Sequence, residues 1–414
     1  MTDLDCRGWT VARTGAELIA RYNAALAGER YTALVDDWTP GLRMWLLEAG
    51  ARHDVVPQGA AWRVTVERSA SPAQGSIPGV HHIVRYGDDV WTSERGPRVA
   101  RIDAESNTVV CCSRVAQKAS HLALSADGAT LVVADPGANK LLALDAATLQ
   151  VKERWDAPGM PQLPLVSAEG IVCVTGGGTG TLTIVRPTRT GYRTHTIPVG
   201  RAPHDPLLSR DGCHVWVPCA GSGEVAKVRL SDGAIAGRCR VGDGPAHLAG
   251  DGRTGRIYAA NSWDGTVSCF TDDGVLVASV ESGRWCHAID ITPDGAYVWA
   301  ANFYDDTIAV FDARTVTRLA LLPTERYAHG VDVSPDGRWV VATGFGSNGV
   351  RVYDAVRREL VARVEVGWGS SHTVFGADGA TAHVACSVSG HVAVLDMPGR
   401  CCTGTIALPA EERA

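Results

Sequence analysis

The sequence contains no excess of basic residues, no long apolar run and few aromatic residues. Of its 414 residues 20% are charged, and the formal net charge is −6. Because nucleic-acid binding needs a basic surface, this balance excludes nucleic acid as the main partner. No apolar stretch is long enough to cross a bilayer, so no membrane partner is expected. Residues 1–5 are acidic and lack the basic and apolar regions of a signal peptide, so we expect a cytoplasmic protein.

Several motifs of common enzyme classes are also missing. The twelve cysteines include no C-x-x-C pair of the zinc type, and in the cytoplasm we expect them to be thiols rather than disulfides. The glycine-rich run at 176–180 joins two predicted strands and opens no helix, so it does not predict a phosphate-binding loop. A G-x-S-x-G nucleophile elbow is absent as well. The sequence therefore contains no simple motif of a nucleotide-binding enzyme or of a serine hydrolase.

A repeated pattern of strands and turns begins near residue 80. Residues 328–337 repeat the arrangement of 286–295: a histidine, an apolar strand and a Ser/Thr-Pro-Asp-Gly turn. This alternation of strands and turn residues is typical of antiparallel hairpins. The residues that mark the first strand of each repeat lie 39 to 43 positions apart, and they are His82, His121, Gln162, His204, His247, His287, His329 and His372.

The spacing predicts a mainly β fold, an eight-bladed β-propeller over residues 80–410. A single four-stranded blade cannot bury both faces alone, so the blades are expected to stack in a ring. Seven blades remain the alternative if the first unit, 81–115, is irregular. The Pro-Asp-Gly turns and Val/Thr/Asn strand ends resemble bacterial YVTN-type propellers, and most of all the d-type-haem propeller of cytochrome nitrite reductases. That resemblance covers about three quarters of the chain and implies a d-type-haem-like tetrapyrrole as ligand.

Residues 1–68 do not follow the repeat, and they predict a small α/β domain with the order βαβαββ. Apolar residues at helical spacing predict helices over 15–27 and 39–50. The segments Leu-Asp-x-Arg-Gly at 4–8, Val-Asp-Asp at 35–37 and Ala-Gly at 49–50 resemble the TusA/SirA family of sulfur carriers.

The family's C-P-x-P motif is absent from this segment, because Val-Ala-Arg-Thr stands at 11–14 instead. Without that thiol the domain cannot carry a persulfide in the family's way. The resemblance therefore implies a degenerate carrier, kept for docking or stability, with a sulfur-transfer protein as partner. Residues 69–79 are rich in Ser, Pro and Gly, and they predict a linker.

Seven of the eight repeat markers are histidines. The first strand of a propeller blade lines the central channel, so these imidazoles are predicted to converge there and to bind a transition metal or a haem iron. The alternative is that each histidine only caps its strand. His121 and His372 lie seven residues before the turn glycine whereas four others lie eight before it, and a one-residue slip can reverse a side chain. The predicted metal ligands are His82, His121, His204, His247, His287, His329 and His372.

Charged and aromatic side chains beside these histidines predict a ligand pocket at the channel mouth. The motif Arg-aromatic-x-His occurs in two neighbouring repeats, at 284–287 and 326–329. Guanidinium groups hold carboxylates through paired hydrogen bonds, and aromatic rings stack on flat ligands. The alternative is a mixed polar rim around a solvent-filled hole. The predicted cofactor-binding residues are Arg95, Arg284, Trp285, Arg326 and Tyr327.

Three functions follow from these observations. The first is an oxidoreductase or cofactor-assembly factor of sulfur or nitrogen metabolism, with copper or a d-type-haem-like tetrapyrrole on the propeller axis. Copper enters only by analogy with nitrous-oxide reductase, where hub histidines surround copper. The second is a non-enzymatic interaction scaffold, and the third is a lactonase or lyase that uses hub histidines and carboxylates with a divalent metal. Visible absorption or bound copper or iron would separate the first function from the other two.

Overall fold

The computed structural model describes residues 4–7, 30–35, 52–58, 61–67, 79–94 and 96–409. Nearly all regular structure in these ranges is β-strand, with one short 3-10 helix at Ala220–Ser222. No helix within them has the length and apolar character needed to span a membrane.

The N-terminal part forms a four-stranded sheet of its own. Its strands are β1 (Leu4–Asp5), β2 (Arg30–Val35), β3 (Arg52–Gln58) and β4 (Ala61–Glu67), in the spatial order β1-β2-β4-β3. Strand β1 runs parallel to β2, as expected for strands joined by a crossover, and the other pairs are antiparallel. Ala33, Val35, Val64 and Val66 form the buried face of this sheet.

The four strands predicted for the N-terminal segment are therefore present. The two helices predicted over 15–27 and 39–50 lie outside the described residues, so the TusA/SirA resemblance and the sulfur-transfer partner stay predictions. Apart from Gly79, the linker predicted over 69–79 lies outside the described residues and stays a prediction.

Eight four-stranded antiparallel sheets follow, each built from four consecutive strands. Blade 1 contains β5 (Val80–Tyr86), β6 (Asp89–Glu94), β7 (Arg98–Asp103) and β8 (Thr108–Arg114). Blade 2 contains β9 (Leu122–Leu124), β10 (Thr130–Asp135), β11 (Lys140–Asp145) and β12 (Val151–Asp156). Blade 3 contains β13 (Pro161–Val166), β14 (Val172–Gly176), β15 (Thr181–Thr188) and β16 (Gly191–Pro198). Blade 4 contains β17 (Leu207–Leu208), β18 (His214–Cys219), β19 (Glu224–Arg229) and β20 (Ile235–Arg240).

The remaining four blades repeat this plan. Blade 5 contains β21 (Pro245–Asp251), β22 (Arg256–Asn261), β23 (Thr266–Thr271) and β24 (Leu276–Glu281). Blade 6 contains β25 (Cys286–Ile291), β26 (Tyr297–Asn302), β27 (Thr307–Asp312) and β28 (Thr317–Pro323). Blade 7 contains β29 (Ala328–Val333), β30 (Trp339–Gly344), β31 (Gly349–Asp354) and β32 (Glu359–Glu365). Blade 8 contains β33 (Ser370–Phe375), β34 (Thr381–Cys386), β35 (His391–Asp396) and β36 (Cys401–Ala407). The first unit is thus a regular blade.

The sheets are arranged as a closed propeller, with the core between neighbouring blades. Innermost strands of neighbouring blades contact each other, as β21 does β25 and β25 does β29, and β33 of the last blade contacts β5 of the first. Blades 3 and 4 pack through a shared apolar cluster that contains Cys173 and Val217. Ile83 and Val90 of blade 1 pack in one apolar cluster with Ala385 and Val392 of blade 8. Closing the ring in this way buries apolar side chains of each blade against those of its neighbours.

In blades 2, 4, 6 and 7 a Ser or Thr hydroxyl that donates to an Asp carboxylate sets the turn after the first strand. In blade 7 the Ser334 hydroxyl donates to the Asp336 carboxylate at 2.5 Å, and the Gly337 N–H donates to the Ser334 carbonyl at 2.9 Å. Gly337 has a φ of 71°, in the left-handed region that favours glycine. The Ser/Thr-Pro-Asp-Gly motif therefore forms the tight turn that the sequence predicts.

Candidate functional site

The predicted histidines come together on the inner strands or just before them, in a feature that we call the histidine belt. All seven predicted ligands belong to it, and His81 joins them. Neighbouring ring centroids are 4.7–5.3 Å apart along the series His204, His247, His287, His329, His372, His82 and His121. Blade 3 carries Gln162 at the corresponding position, so the belt runs through seven of the eight blades.

Irregular strand pairing places these imidazoles. The pairing of β25 with β26 shifts register between Cys286 and Ile289, an interval that contains His287. A β-bulge of this kind redirects a side chain that a regular strand would aim elsewhere. Equivalent shifts enclose His329, His372 and the pair His81 and His82.

The bulges also explain why the uneven spacing seen in the sequence does not disperse the belt. His372 lies in such an interval and its ring remains 4.8 Å from that of His82. His121 directly precedes β9, its carbonyl accepts the Ala134 N–H at 2.9 Å, and its ring lies 5.0 Å from that of His82.

Hydrogen bonds between blades hold individual imidazoles in place. The Nδ1–H of His287 donates to the His329 carbonyl at 2.9 Å, and the Nδ1–H of His329 donates to the Ser371 carbonyl at 3.2 Å. These bonds leave the lone pair of each ring on Nε2, an arrangement typical of metal-binding histidines. His82 is oriented oppositely, because its Nδ1 accepts the Leu122 N–H at 3.3 Å.

Four imidazoles are grouped where blades 8, 1 and 2 meet, and we call them the four-histidine cluster: His81, His82, His121 and His372. Nitrogen atoms of His81, His121 and His372 all lie within 4.8 Å of one another. The His82 ring lies 4.8 Å from His372 and 5.0 Å from His121. His81 was not among the predicted ligands, although the His81-His82 doublet is visible in the sequence.

Burial keeps much of the belt uncharged. It lowers the pKa of His82 to about 4 and the pKa of His247 and of His287 to about 3, and it holds the pKa of His372 well below its usual range. Neighbouring imidazoles add to the effect for His287 and His372, whereas Asp205 opposes it. Near neutral pH these rings offer lone pairs without first losing a proton.

A different group stands where blades 4 and 5 meet. Asp205 lies between two belt histidines: its Oδ1 is 3.3 Å from Nδ1 of His204 and its Oδ2 is 3.1 Å from Nδ1 of His247. Burial opposes ionisation of Asp205, but attraction to the His204 ring outweighs it and holds the pKa of the carboxyl well below its usual range. Burial likewise opposes the charge of His204, yet Asp205 raises the pKa of that ring. The sequence prediction missed Asp205.

The predicted mouth residues occupy more ordinary positions. Nε of Arg284 is 2.5 Å from Oδ1 of Asp305, and the same guanidinium donates to the Tyr304 carbonyl. Arg326 lies over the ring of Tyr327, 5.1 Å from its centroid. Arg95 lies outside the described residues.

Trp285 and Tyr327 belong to an aromatic cluster beside the belt, which also contains Trp263, Phe303 and Tyr304. The Phe303 ring stacks on Tyr327 with centroids 5.2 Å apart and planes 16° apart, and it lies 6.1 Å from the His287 ring. Trp285 and Tyr327 have backbone φ values of 56° and 55°, which residues other than glycine rarely adopt.

Solved structures of several different proteins are similar to this fold. Dihydro-haem d1 dehydrogenase NirN, in complex with DHE, superposes with a TM-score of 0.57 and 19% identity over 69% of this chain and 66% of that one. This chain thus spans slightly less than two thirds of NirN. Hydrazine synthase of Kuenenia stuttgartiensis matches with a TM-score of 0.56 and 19% identity over 67% and 95% of the two chains. Sqt1 of Saccharomyces cerevisiae superposes with a TM-score of 0.68 and 10% sequence identity, over 77% of this chain and 96% of that one. At these identities the likeness concerns the fold alone.

A protein-family model matches part of this chain. Residues 184–327 and 323–406 match the model described as lactonase, 7-bladed beta-propeller. Together the two segments cover more than half of the chain, from within blade 3 to the end of blade 8. The description counts seven blades, whereas the described residues of this chain form eight propeller sheets. The chain belongs to the lactonase family of seven-bladed β-propellers.

Proposed function

We propose that this propeller is a metal-binding protein whose four-histidine cluster holds a transition-metal ion. The observation that carries the proposal is the approach of His81, His121 and His372, from three different blades, to within 4.8 Å between donor nitrogens. Ligands at about 2.0 Å from one ion must lie closer together than this limit, so small side-chain rotations complete the site. The ring of His82 is near enough to serve as a fourth ligand.

Ligand chemistry favours copper at this cluster. Imidazole nitrogens suit copper, zinc, nickel and iron, and among divalent ions copper binds such sites most strongly. Four neutral ligands do not compensate the charge of a buried ion, and the cost of burying charge is smallest for a monovalent ion. Copper is the member of this group that is readily monovalent. Bound copper would supply one-electron chemistry, which is consistent with an oxidoreductase or electron-transfer role.

A flat tetrapyrrole fits the belt less well. The likeness to NirN supports it, and a belt histidine could serve as an axial ligand. However, adjacent imidazoles stand only 4.7–5.3 Å apart, and Phe303 and Tyr327 stack on each other rather than opening a slot. A macrocycle would have to rest on the mouth, near Arg326. Visible absorption of the purified protein after incubation with haem tests this alternative.

Lactone hydrolysis is the second candidate function, and membership of the lactonase family favours it. Belt histidines with a carboxylate and a divalent metal ion would provide water activation of the kind such a reaction needs. We expect any such turnover of simple γ- and δ-lactones to depend on added divalent metal. Absence of turnover with zinc, manganese, calcium and magnesium would remove this candidate.

Elemental analysis of protein purified without an affinity tag, then reconstituted with Cu(I), tests the copper proposal. We expect tightly bound copper, which the double variant His121→Ala/His372→Ala loses. His195→Ala is the matched control, because His195 is an exposed histidine on β16, away from the belt. Folded protein that takes up no copper, or a double variant that retains it, would overturn the proposal and leave an interaction scaffold.

A further inference from the structure

The group His204, Asp205 and His247 is separate from the four-histidine cluster and is chemically different. It lies at the junction of blades 4 and 5. Among the described residues, Asp205 is the only carboxylate that contacts two belt imidazoles. One donor atom from each of the three residues lies within 4.8 Å of the other two. The backbone secures the arrangement, because the Asp205 N–H donates to the Ala246 carbonyl at 3.2 Å.

Three side-chain atoms in this group are buried and lack a hydrogen-bond partner: Nδ1 of His204, Oδ1 of Asp205 and Nε2 of His247. The first two atoms are 3.3 Å apart but are poorly aligned for a hydrogen bond. Buried polar atoms in folded proteins are nearly always satisfied, so three such atoms on adjacent side chains point to a missing ligand. A ligand that accepts electron pairs from nitrogen and oxygen together would satisfy them.

We propose that His204, Asp205 and His247 form a second metal site, specific for a divalent cation of the zinc type. Two imidazoles and one carboxylate are an established donor set for zinc, with distances of about 2.0–2.2 Å. The carboxylate neutralises one of the two charges, which the four-histidine cluster cannot do. Three protein ligands leave a position open for water or for an oxygen atom of a substrate.

The two sites therefore differ in the ion that they prefer. A Cu(I) ion suits the neutral cluster, and a divalent ion suits the group with Asp205. The belt thus offers two ions a place on one propeller axis. This inference does not depend on copper binding, since it uses other residues and another ion.

Isothermal titration of metal-free protein with Zn²⁺ alone tests the second site. Asp205→Asn keeps the size of the side chain but removes its charge, and we expect it to weaken Zn²⁺ binding at this site at least tenfold. The matched control is Asp211→Asn, because Asp211 also lies 3.3 Å from a histidine, His214, but on the exposed surface. We expect the control to bind Zn²⁺ as the parent protein does.

A second variant and a spectrum keep the test decisive. His247→Gln removes another ligand and serves if Asp205→Asn does not fold, which circular dichroism would reveal. Co²⁺ substituted for zinc should give visible d–d bands in the parent protein that both variants lose. Unchanged Zn²⁺ affinity in folded Asp205→Asn would overturn the inference, as would loss of this Zn²⁺ site in His121→Ala/His372→Ala. Failure of copper binding with intact Zn²⁺ binding would instead reject only the proposed copper cluster.

Discussion

His287 donates its Nδ1–H to the backbone carbonyl of His329, which lies one blade further round the ring, at 2.9 Å. His329 makes the equivalent bond, because its Nδ1–H donates to the backbone carbonyl of Ser371 in the following blade. The belt histidines therefore link blades as well as lining the channel. The same bonds fix which nitrogen carries the proton, so the stability of the ring and the ligand geometry have a common origin.

Replacing His287 tests the structural part of this role. His287→Ala removes a half-buried hydrogen bond between blades 6 and 7, and we expect the free energy of unfolding to fall by about 1–2 kcal/mol. Urea denaturation measures the change, with the exposed His195→Ala as control. Equal stability of the two variants would show that the bond between blades contributes little.

A buried carboxyl on blade 7 should make stability depend on pH. Burial, and after it the charge of Asp290, raises the pKa of Asp332 to about 8, and the Oδ2 atom of Asp332 is buried without a hydrogen-bond partner. The unfolded chain loses this proton near pH 4, so between about pH 4 and 8 the folded state holds more protons. Stability should therefore fall as pH rises through this window, by at most about 1.4 kcal/mol per pH unit.

Asp332→Asn removes this titration and keeps the shape of the side chain. We expect the slope of unfolding free energy against pH to become flatter between pH 5 and 8, with the greatest gain in stability at pH 8. Thermal melts across this range provide the measurement, and Asp378→Asn, at an exposed turn, is the control. A slope that does not change would mean that Asp332 is ionised in the folded protein.

Glu325 should make stability depend on pH in the opposite direction. Its carboxylate is 5% exposed and lies 2.9 Å from Nε of Arg363 and 3.3 Å from Nε of Arg351. Burial opposes ionisation, but the hydrogen bond from Arg363 and the two positive charges outweigh it and lower the pKa of Glu325. The stabilisation is present above the ordinary glutamate pKa and is lost as the pH falls through the folded value.

Glu325→Gln at pH 7 should therefore cost about 2 kcal/mol, since it weakens charge-assisted bonds between a loop and two strands. Chemical denaturation at pH 7 and at pH 3 measures the difference, which should shrink at the lower pH. A cost that is equal at both values would contradict the ionic account.

The turn glycines provide a test of the repeat itself. Gly337 has a φ of 71°, so Gly337→Ala should lower stability by about 1 kcal/mol through backbone strain. Gly404 has no left-handed φ and no heavy atom near an added Cβ, so Gly404→Ala should be close to neutral. Comparable melting temperatures for the two variants would contradict this reading of the turn.

The regular spacing of the histidines allowed the belt to be predicted from sequence, because each repeat places the same position of its first strand on the channel wall. The bulges that aim the side chains could not be predicted, since a bulge depends on pairing with a strand about ten residues away. Asp205 was overlooked although it alone, among the residues that directly follow a belt marker, is charged.

Arg284 illustrates the opposite limit. The motif that it shares with Arg326 suggested an anchor for ligand carboxylates, yet its guanidinium pairs with Asp305, 21 residues further along the chain. The sequence motif indicates where Arg284 lies in the repeat. It does not indicate that Asp305 pairs with the guanidinium, because the two residues come together only when the loops of the blade fold.

X-ray absorption at the copper K edge, on Cu(I)-reconstituted protein, is the most direct test of the central claim. The four-histidine cluster predicts three or four nitrogen scatterers at about 2.0 Å, with the outer-shell pattern of imidazole rings and no sulfur. The signal should disappear in His121→Ala/His372→Ala and persist in His195→Ala. A sulfur shell, or a spectrum that the double variant leaves unchanged, would show that copper binds elsewhere and that the belt is only structural.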